Sequence, residues 1–302
     1  FKWVQLKKPA LEQMTLPEGT ERIESSENPL TGKLRVPGIA AIPVYYGTNP
    51  QNERAWSLAE RRAKDLLATK HLENALGYEG DVMNHCVGGY CPEVESEDRQ
   101  IFSLRDSKGS PHATIEVAQD YPALRDWEDI DPKLKETYLD TINQFFKDHP
   151  DHKTSDLSPS EIDDILKEYK APRPQPSIRQ IRGKNNAAPI DKYTPYVQDF
   201  VKSGNWADVQ ELENARLSTL DDHDYDDAGM AIMQLRERMK EAGTTPDQKY
   251  FTEQELRDLM TKHGIDQNFA KGGIVASPSQ IGYNPKTVQS IADQLHYEIL
   301  NA

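Results

Sequence analysis

Apolar positions recur every three or four residues in one long stretch near the first third of the chain. Between Asn52 and Leu76 they are Trp56, Ala59, Ala63, Leu66 and Leu67, separated mainly by charged residues. This spacing places the apolar side chains on one face of an α-helix. The pattern therefore predicts a helix over residues 52–76.

Three shorter stretches have the composition of β-strands. They are Gln100–Arg105, Ala113–Val117 and Ser177–Arg182, and a polar segment with Gly109 separates the first two. Such a segment between two strands predicts a hairpin. We expect an α+β domain at residues 55–206, in which a small antiparallel sheet of about three strands is packed by helices.

The other stretches predict additions to this domain. Residues 1–54 are rich in proline and glycine and predict an extended arm with a short strand at Ile39–Tyr46. Residues 119–176 form an acidic insertion between the second and third strands, and residues 207–302 predict a helical C-terminal extension. Helices are predicted at Leu134–Phe146, after the capping-box sequence Ser158–Glu161, and at Tyr193–Lys202, Ala228–Lys240, Thr252–His263 and Lys286–Leu300.

Composition limits the classes of function. Only 36% of the 302 residues are hydrophobic, which favours one modest core with long polar extensions. The formal net charge of −14 argues against wrapping a nucleic-acid backbone, because phosphate contacts need clustered Lys and Arg. The chain has no run of about 18 apolar residues, so we expect no stable membrane insertion. It begins with Phe1 and without a signal peptide, which suggests the continuation of a longer protein made in a cytoplasm.

The most unusual segment is His85-Cys86-Val87-Gly88-Gly89-Tyr90-Cys91. A catalytic interpretation uses Cys86 as nucleophile, His85 or His112 as base, and Glu116 to orient that base. The alternative is that Cys86 is a small buried residue packed against the sheet. We expect reduced cysteines, as in a protein made in a cytoplasm. We expect no metal ion, because no second ligand pair matches the cysteine spacing. We also expect no cofactor. The two glycines predict a turn leading Tyr90 into the sheet edge.

A small group of basic and polar residues offers a second candidate site. Its members are Tyr90, Arg105, Arg182, Lys184 and Asn185. Basic side chains with an aromatic ring for stacking are typical of a phosphate or nucleic-acid site. A solvated strand end is the simpler interpretation. In a chain with this much negative charge, such a site would be a local contact.

Four segments, in this order, resemble the PcfJ-like domain of phage and conjugative-element proteins. They are Glu79–Cys91 with its His-Cys-Val-Gly core, Ile101–Asp106, Pro111–Val117 with Thr114-Ile115-Glu116, and Gln180–Asn186. The resemblance covers residues 55–118 and 177–206. It implies the small α+β fold and a phage or plasmid context more than a mechanism. The acidic insertion departs from the family pattern and puts the pairing of the third strand in question.

The end of the chain resembles the terminal segment of very large phage proteins. This second resemblance rests on Lys271–Val275, Tyr283-Asn284-Pro285, Val288, Ile291-Ala292 and Leu295. Many of those proteins are internal virion or ejection proteins, delivered with the genome. The two resemblances imply a virion component made in the host bacterial cytoplasm. Its partners would be copies of itself or portal and tail proteins. A host-delivered enzyme or nucleic-acid-acting domain using the His-Cys motif, or a conjugation-linked accessory protein, is the alternative.

Overall fold

A computed structural model describes residues 1–119, 132–150, 159–221 and 227–265. The strands are β1 (Lys2–Leu6), β2 (Glu21–Glu24), β3 (Thr31–Arg35), β4 (Ile42–Tyr45), β5 (Arg99–Arg105), β6 (Pro111–Ala118) and β7 (Ser177–Arg182). The helices are α1 (Glu53–Met83), α2 (Cys91–Glu95), α3 (Pro132–Asp148), α4 (Pro159–Glu168), α5 (Thr194–Ser203), α6 (Asp227–Glu241) and α7 (Glu253–Lys262). The α+β class predicted from the sequence is confirmed.

The chain divides into two compact units. The first comprises Phe1–Pro189 with Asn205–Gln210, and the second comprises Ile190–Gly204 with the chain from Glu211 onward. The His85–Cys91 motif and both sheets belong to the first unit. The second unit is helical in its described part, and it contains α5, α6 and α7.

An antiparallel sheet of four strands, in the order β1-β5-β6-β7, lies at the centre of the first unit. The hairpin of β5 and β6 and the third strand β7 lie where the sequence predicted them. The fourth strand, β1, comes from the segment predicted as an extended arm. Leu6 of this strand pairs with Ile101 of β5, and both side chains are buried. The start of the described chain is therefore an integral part of the central sheet.

A second antiparallel sheet, in the order β2-β3-β4, is built from residues 21–45. Alternate residues of β3 and β4 point inward, among them Leu34, Ile42 and Val44. This inward face packs on Trp56, Ala59 and Ala63 of α1. Residues 1–54 thus supply one strand of the central sheet and all three strands of the second sheet.

Helix α1 joins the two sheets. Its 31 residues would extend about 46 Å at 1.5 Å per residue. Asn52 caps the start by accepting a hydrogen bond from the backbone N–H of Ala55. Whereas the first half packs on the three-stranded sheet, Leu72 and Leu76 pack with Leu6, Val87, Val94 and Ile101 near the four-stranded sheet. The helix continues seven residues beyond the predicted end at Leu76.

The acidic insertion contains the predicted helices, observed as α3 and α4. They pack on each other through Tyr138, Ile142, Leu166 and Ala171. Asp98, at the start of the central hairpin, accepts hydrogen bonds from Lys167 at 2.7 Å and from Arg173 at 3.1 Å. These ion pairs attach the insertion to the sheet whose second and third strands it separates.

The second unit has its own apolar core, formed by Ala231, Ile232, Leu235, Met239, Met260 and Ile265. The predicted capping box is confirmed: Thr252 accepts from the backbone N–H of Glu255, whose carboxylate accepts from the N–H of Thr252. The predicted helix at residues 286–300 lies outside the described residues, as does the segment resembling phage protein termini. In the part of the chain that is described, no helix is both long enough and apolar enough to span a membrane.

Candidate functional site

The last turns of α1 position the His-Cys motif. Asn84 ends the helix in the left-handed conformation, with φ of 55° and ψ of 56°, and its N–H donates to the carbonyl of Gly80. Asparagine is among the few residues that tolerate this backbone conformation. The chain then reverses, and a 3-10 turn over Cys86–Gly89 leads into the short helix α2. The prediction that Tyr90 enters the sheet edge is wrong, because Tyr90 precedes α2.

A buried carboxylate joins this helix end to the central sheet. Glu79 is completely buried. Its carboxylate accepts hydrogen bonds from Ser103 at 2.8 Å, from the Arg105 guanidinium at 3.0 Å and from Thr114 at 2.6 Å. A buried charge of this kind is tolerated only when it is paired and hydrogen-bonded. The arrangement fixes α1 to the helix-facing surface of β5 and β6.

His85 extends this network. Its Nε2 lies 3.0 Å from the Thr114 hydroxyl, which already donates its proton to Glu79. Thr114 must therefore accept a proton from His85, so Nε2 carries the hydrogen. Burial lowers the pKa of His85, although the nearby Glu79 charge acts in the opposite direction. His85 is thus a neutral imidazole whose Nδ1 atom is buried and accepts no hydrogen bond from the described residues.

Cys86 points the other way. Its side chain is exposed, so the expectation of a small buried residue is wrong. The sulfur lies 3.4 Å from the Tyr90 hydroxyl, and this hydrogen bond, together with burial, raises the pKa of Tyr90. Cys91 is also a free thiol, and burial raises its pKa. The described hydrogen-bond partner of the Cys86 thiol is therefore Tyr90 and not the adjacent His85.

The other two predicted catalytic residues have partners of their own. His112 lies 3.1 Å from Asp106 at the hairpin turn, and its ring packs edge-on against Phe1. Glu116 is buried and forms an ion pair of 2.9 Å with Arg99. The four candidate catalytic residues, His85, Cys86, His112 and Glu116, thus each contact a different partner. The described hydrogen bonds and ion pairs do not join them into one group.

An open cleft lies at the junction of α1, the 3-10 turn and the loop after β7. It is lined by Gly77, Gly80, Asp81, Asn84, His85, Cys86, Gly88 and Asn186. A Cβ atom on Gly80 would lie 3.0 Å from the Gly88 nitrogen, so close packing requires glycine there. A Cβ atom on Gly77 would meet no atom within 4 Å apart from its chain neighbours and the nearby backbone of α1. Its missing side chain opens space on the cleft side of the helix.

The predicted phosphate-binding residues are brought to this cleft only in part. The Arg105 guanidinium donates hydrogen bonds to Glu79 and Ser103, and the Tyr90 hydroxyl is hydrogen-bonded to the Cys86 thiol. The loop after β7 approaches the cleft, because the Asn84 side chain donates to the Asn185 side chain at 3.1 Å. Arg182 donates to the Asn186 carbonyl at 2.9 Å, and Lys184 is exposed beside them.

Sequence reasoning missed three members of the network: Glu79, Ser103 and Thr114. Their signal is visible in hindsight, because Ser103 and Thr114 are polar residues within otherwise apolar strands and face each other in the sheet. Paired polar residues on the buried face of a hairpin require a polar partner from the helix above. Glu79 is that partner.

No group of three or more His, Cys, Asp or Glu side chains that could hold a metal ion occurs among the described residues. Comparisons with protein-family models, curated proteins and solved structures find no match to this chain.

Proposed function

We propose that this chain is a component of a phage virion and that the His85–Tyr90 motif forms a ligand-binding site within it. The virion role rests on the resemblance of the motif segments to PcfJ-like domains and of residues 271–295 to the ends of internal virion proteins. The chain would be the C-terminal part of an ejection-type protein that packs with portal, tail or neighbouring copies. It would be made in the host cytoplasm and delivered with the genome.

The binding role rests on one structural observation: a buried network holds the motif in place beside an open cleft. Glu79, Thr114 and His85 fix the backbone around Cys86, while Asn84, Cys86 and Asn186 line the cleft. A completely buried carboxylate is a costly way to hold a turn if the turn only connects two helices. A binding site, by contrast, needs surface groups held in one geometry by hydrogen bonds behind them.

The alternative is a host-delivered enzyme that uses Cys86 as a nucleophile. The exposed thiol supports it, since a nucleophile must reach its substrate. Against it, the described bonds of His85 and Cys86 go to different partners, and the Nδ1 atom of His85 is buried. A base that activates Cys86 is therefore not assembled in this arrangement.

Two experiments test these roles. Mass spectrometry of purified phage particles should find peptides of this chain on a longer polypeptide, and their absence from particles overturns the virion role. Phage carrying Cys86→Ser should assemble and infect normally if the cleft binds a ligand, because the serine hydroxyl replaces the thiol with another small hydrogen-bonding group beside Tyr90. Normal particles that no longer infect would favour the catalytic alternative.

A further inference from the structure

The cleft has a carboxylate in its lining, and the loop that borders it carries a cation two residues before the lining residue Asn186. Lys184 is exposed, and its ammonium forms no ion pair with the described residues. Asp81 is exposed and is the acidic residue among those lining the cleft. The Glu79 carboxylate behind the cleft is paired with Arg105, so its negative charge is largely compensated. A ligand that suits these two side chains has both an anionic group and hydrogen-bond donors.

Three asparagines belong to the same two segments as these charges, the end of α1 and the loop after β7. Asn84, Asn185 and Asn186 are all exposed and all adopt positive φ angles of 55° to 61°. The bond from Asn84 to Asn185 ties two of the side chains together, while Asn186 lines the cleft. Amides both donate and accept hydrogen bonds, as the polar edge of a nucleobase requires.

The floor of the cleft has an unexplained glycine. Gly77 lies in the interior of α1, where glycine is less favourable than alanine by about 0.5–1 kcal/mol. Its φ is not positive, and a methyl group would meet no atom within 4 Å beyond its chain neighbours and the nearby backbone of α1. The fold therefore gives no reason for a glycine here, in contrast to Gly80, where a Cβ atom would be in close contact with Gly88 and His85. Close approach of a ligand to the helix would give one.

From these observations we infer that the cleft binds a nucleoside phosphate, either as a free nucleotide or as one unit of a single strand. Lys184 would contact the phosphate, the asparagine amides and Asp81 would contact hydrogen-bonding groups of the base or sugar, and Gly77 would let the ligand lie against α1. This site is small, which reconciles it with the net charge of −14. The inference rests on the proposed binding role of the motif and names its ligand class.

The test is equilibrium binding to the full chain of two probes, a fluorescent single-stranded oligothymidylate of about 15 nucleotides and free thymidine monophosphate. Gly77→Ala should weaken binding by at least about tenfold through steric exclusion, with an unchanged or higher melting temperature. Lys184→Ala should weaken it and reduce the salt dependence by about one counterion. Lys33→Ala, an exposed lysine on the second sheet, is the matched control and should change neither.

The two probes distinguish the two sources of the ligand. Binding of the monophosphate in competition with the oligonucleotide identifies a nucleotide site, and binding of the oligonucleotide alone identifies a strand site. If neither probe binds, or if Gly77→Ala binds as the unsubstituted chain does, the inference is overturned. The proposed binding role would still stand in that case if Gly77→Ala phage, with normally folded protein and normal particles, lost infectivity.

Discussion

His85 donates its Nε2 hydrogen to the hydroxyl of Thr114 at 3.0 Å, and this threonine is the link between the motif and the buried Glu79 carboxylate. The hydroxyl accepts one hydrogen bond and donates another, so it determines which imidazole nitrogen carries the hydrogen. The geometry of the surface motif therefore depends on a side chain in the middle of a buried strand.

Thr114→Val should destabilise the folded chain by about 2 kcal/mol, because it preserves shape but removes one of the three hydrogen bonds to Glu79 and the described acceptor of His85 Nε2. Thr114→Ser keeps the hydroxyl and should recover most of this loss. Urea denaturation of the two variants measures the difference. Equal stability of the valine and serine variants would show that the hydroxyl does not link the two groups.

Glu79→Gln should cost about 3 kcal/mol, because Arg105 would remain partly buried without a counter-charge. Glu73→Gln is the matched control, since Glu73 is exposed on the same helix. Thermal and urea denaturation should separate the two variants clearly. A Glu79 variant as stable as the Glu73 variant would contradict the buried ion pair.

The stability of the first unit should decrease as the pH falls below about 6.5, the ordinary pKa of histidine. Burial lowers the pKa of His85 in the folded state, so the unfolded state takes up a proton first. The contribution is fully present above pH 6.5 and is lost as the pH falls from there toward the lowered pKa.

Denaturation at pH 7.5 and pH 5.5 checks this pH dependence. His85→Gln should reduce the difference in stability between the two pH values, whereas His71→Gln, at an exposed position of α1, should leave that difference unchanged. Nitrogen NMR of the His85 ring should show the hydrogen on Nε2 at pH 7.5. A hydrogen on Nδ1 would exclude the described network.

The sequence predicts those parts of the fold that have a local signal. The spacing of Trp56, Ala59 and Ala63 identifies α1, and the turn around Gly109 identifies the hairpin of β5 and β6. By contrast, β1 pairs with residues about a hundred positions away, and nothing in its five residues specifies that partner. The apolar spacing predicts a helix end at Leu76, seven residues before the observed end, because the last turns of α1 are held by the buried hydrogen bonds of Glu79, which have no local signal.

In the candidate site, too, some features have a local sequence signal and others do not. The motif is recognisable from its residue types, and the catalytic interpretation offers His85 or His112 as the base for Cys86. The 3-10 turn sends His85 toward Thr114 and Cys86 toward solvent. Only the backbone path after Asn84 determines this, and a left-handed residue followed by a tight turn has no reliable sequence pattern beyond the asparagine itself.

Leu6→Ala should destabilise the first unit by about 3 kcal/mol, because Leu6 is buried against Leu72, Leu76 and Ile101. An independent, extended arm would tolerate this change. Gln5→Ala, at the exposed neighbouring position, is the control and should have little effect. Urea denaturation of both variants decides whether β1 is a structural strand or a dispensable segment.

Helix α1 belongs to two separate hydrophobic cores, with Trp56 in the core near its start and Leu76 in the core near its end. Substitutions that destabilise the three-stranded sheet should consequently also destabilise the His85–Cys91 motif at the other end of α1. They should do so although no residue of that sheet takes part in the described hydrogen bonds of His85. A minimal fragment for studying the cleft must therefore carry both sheets, because removal of residues 1–52 would delete the three-stranded sheet and also strand β1 of the central sheet.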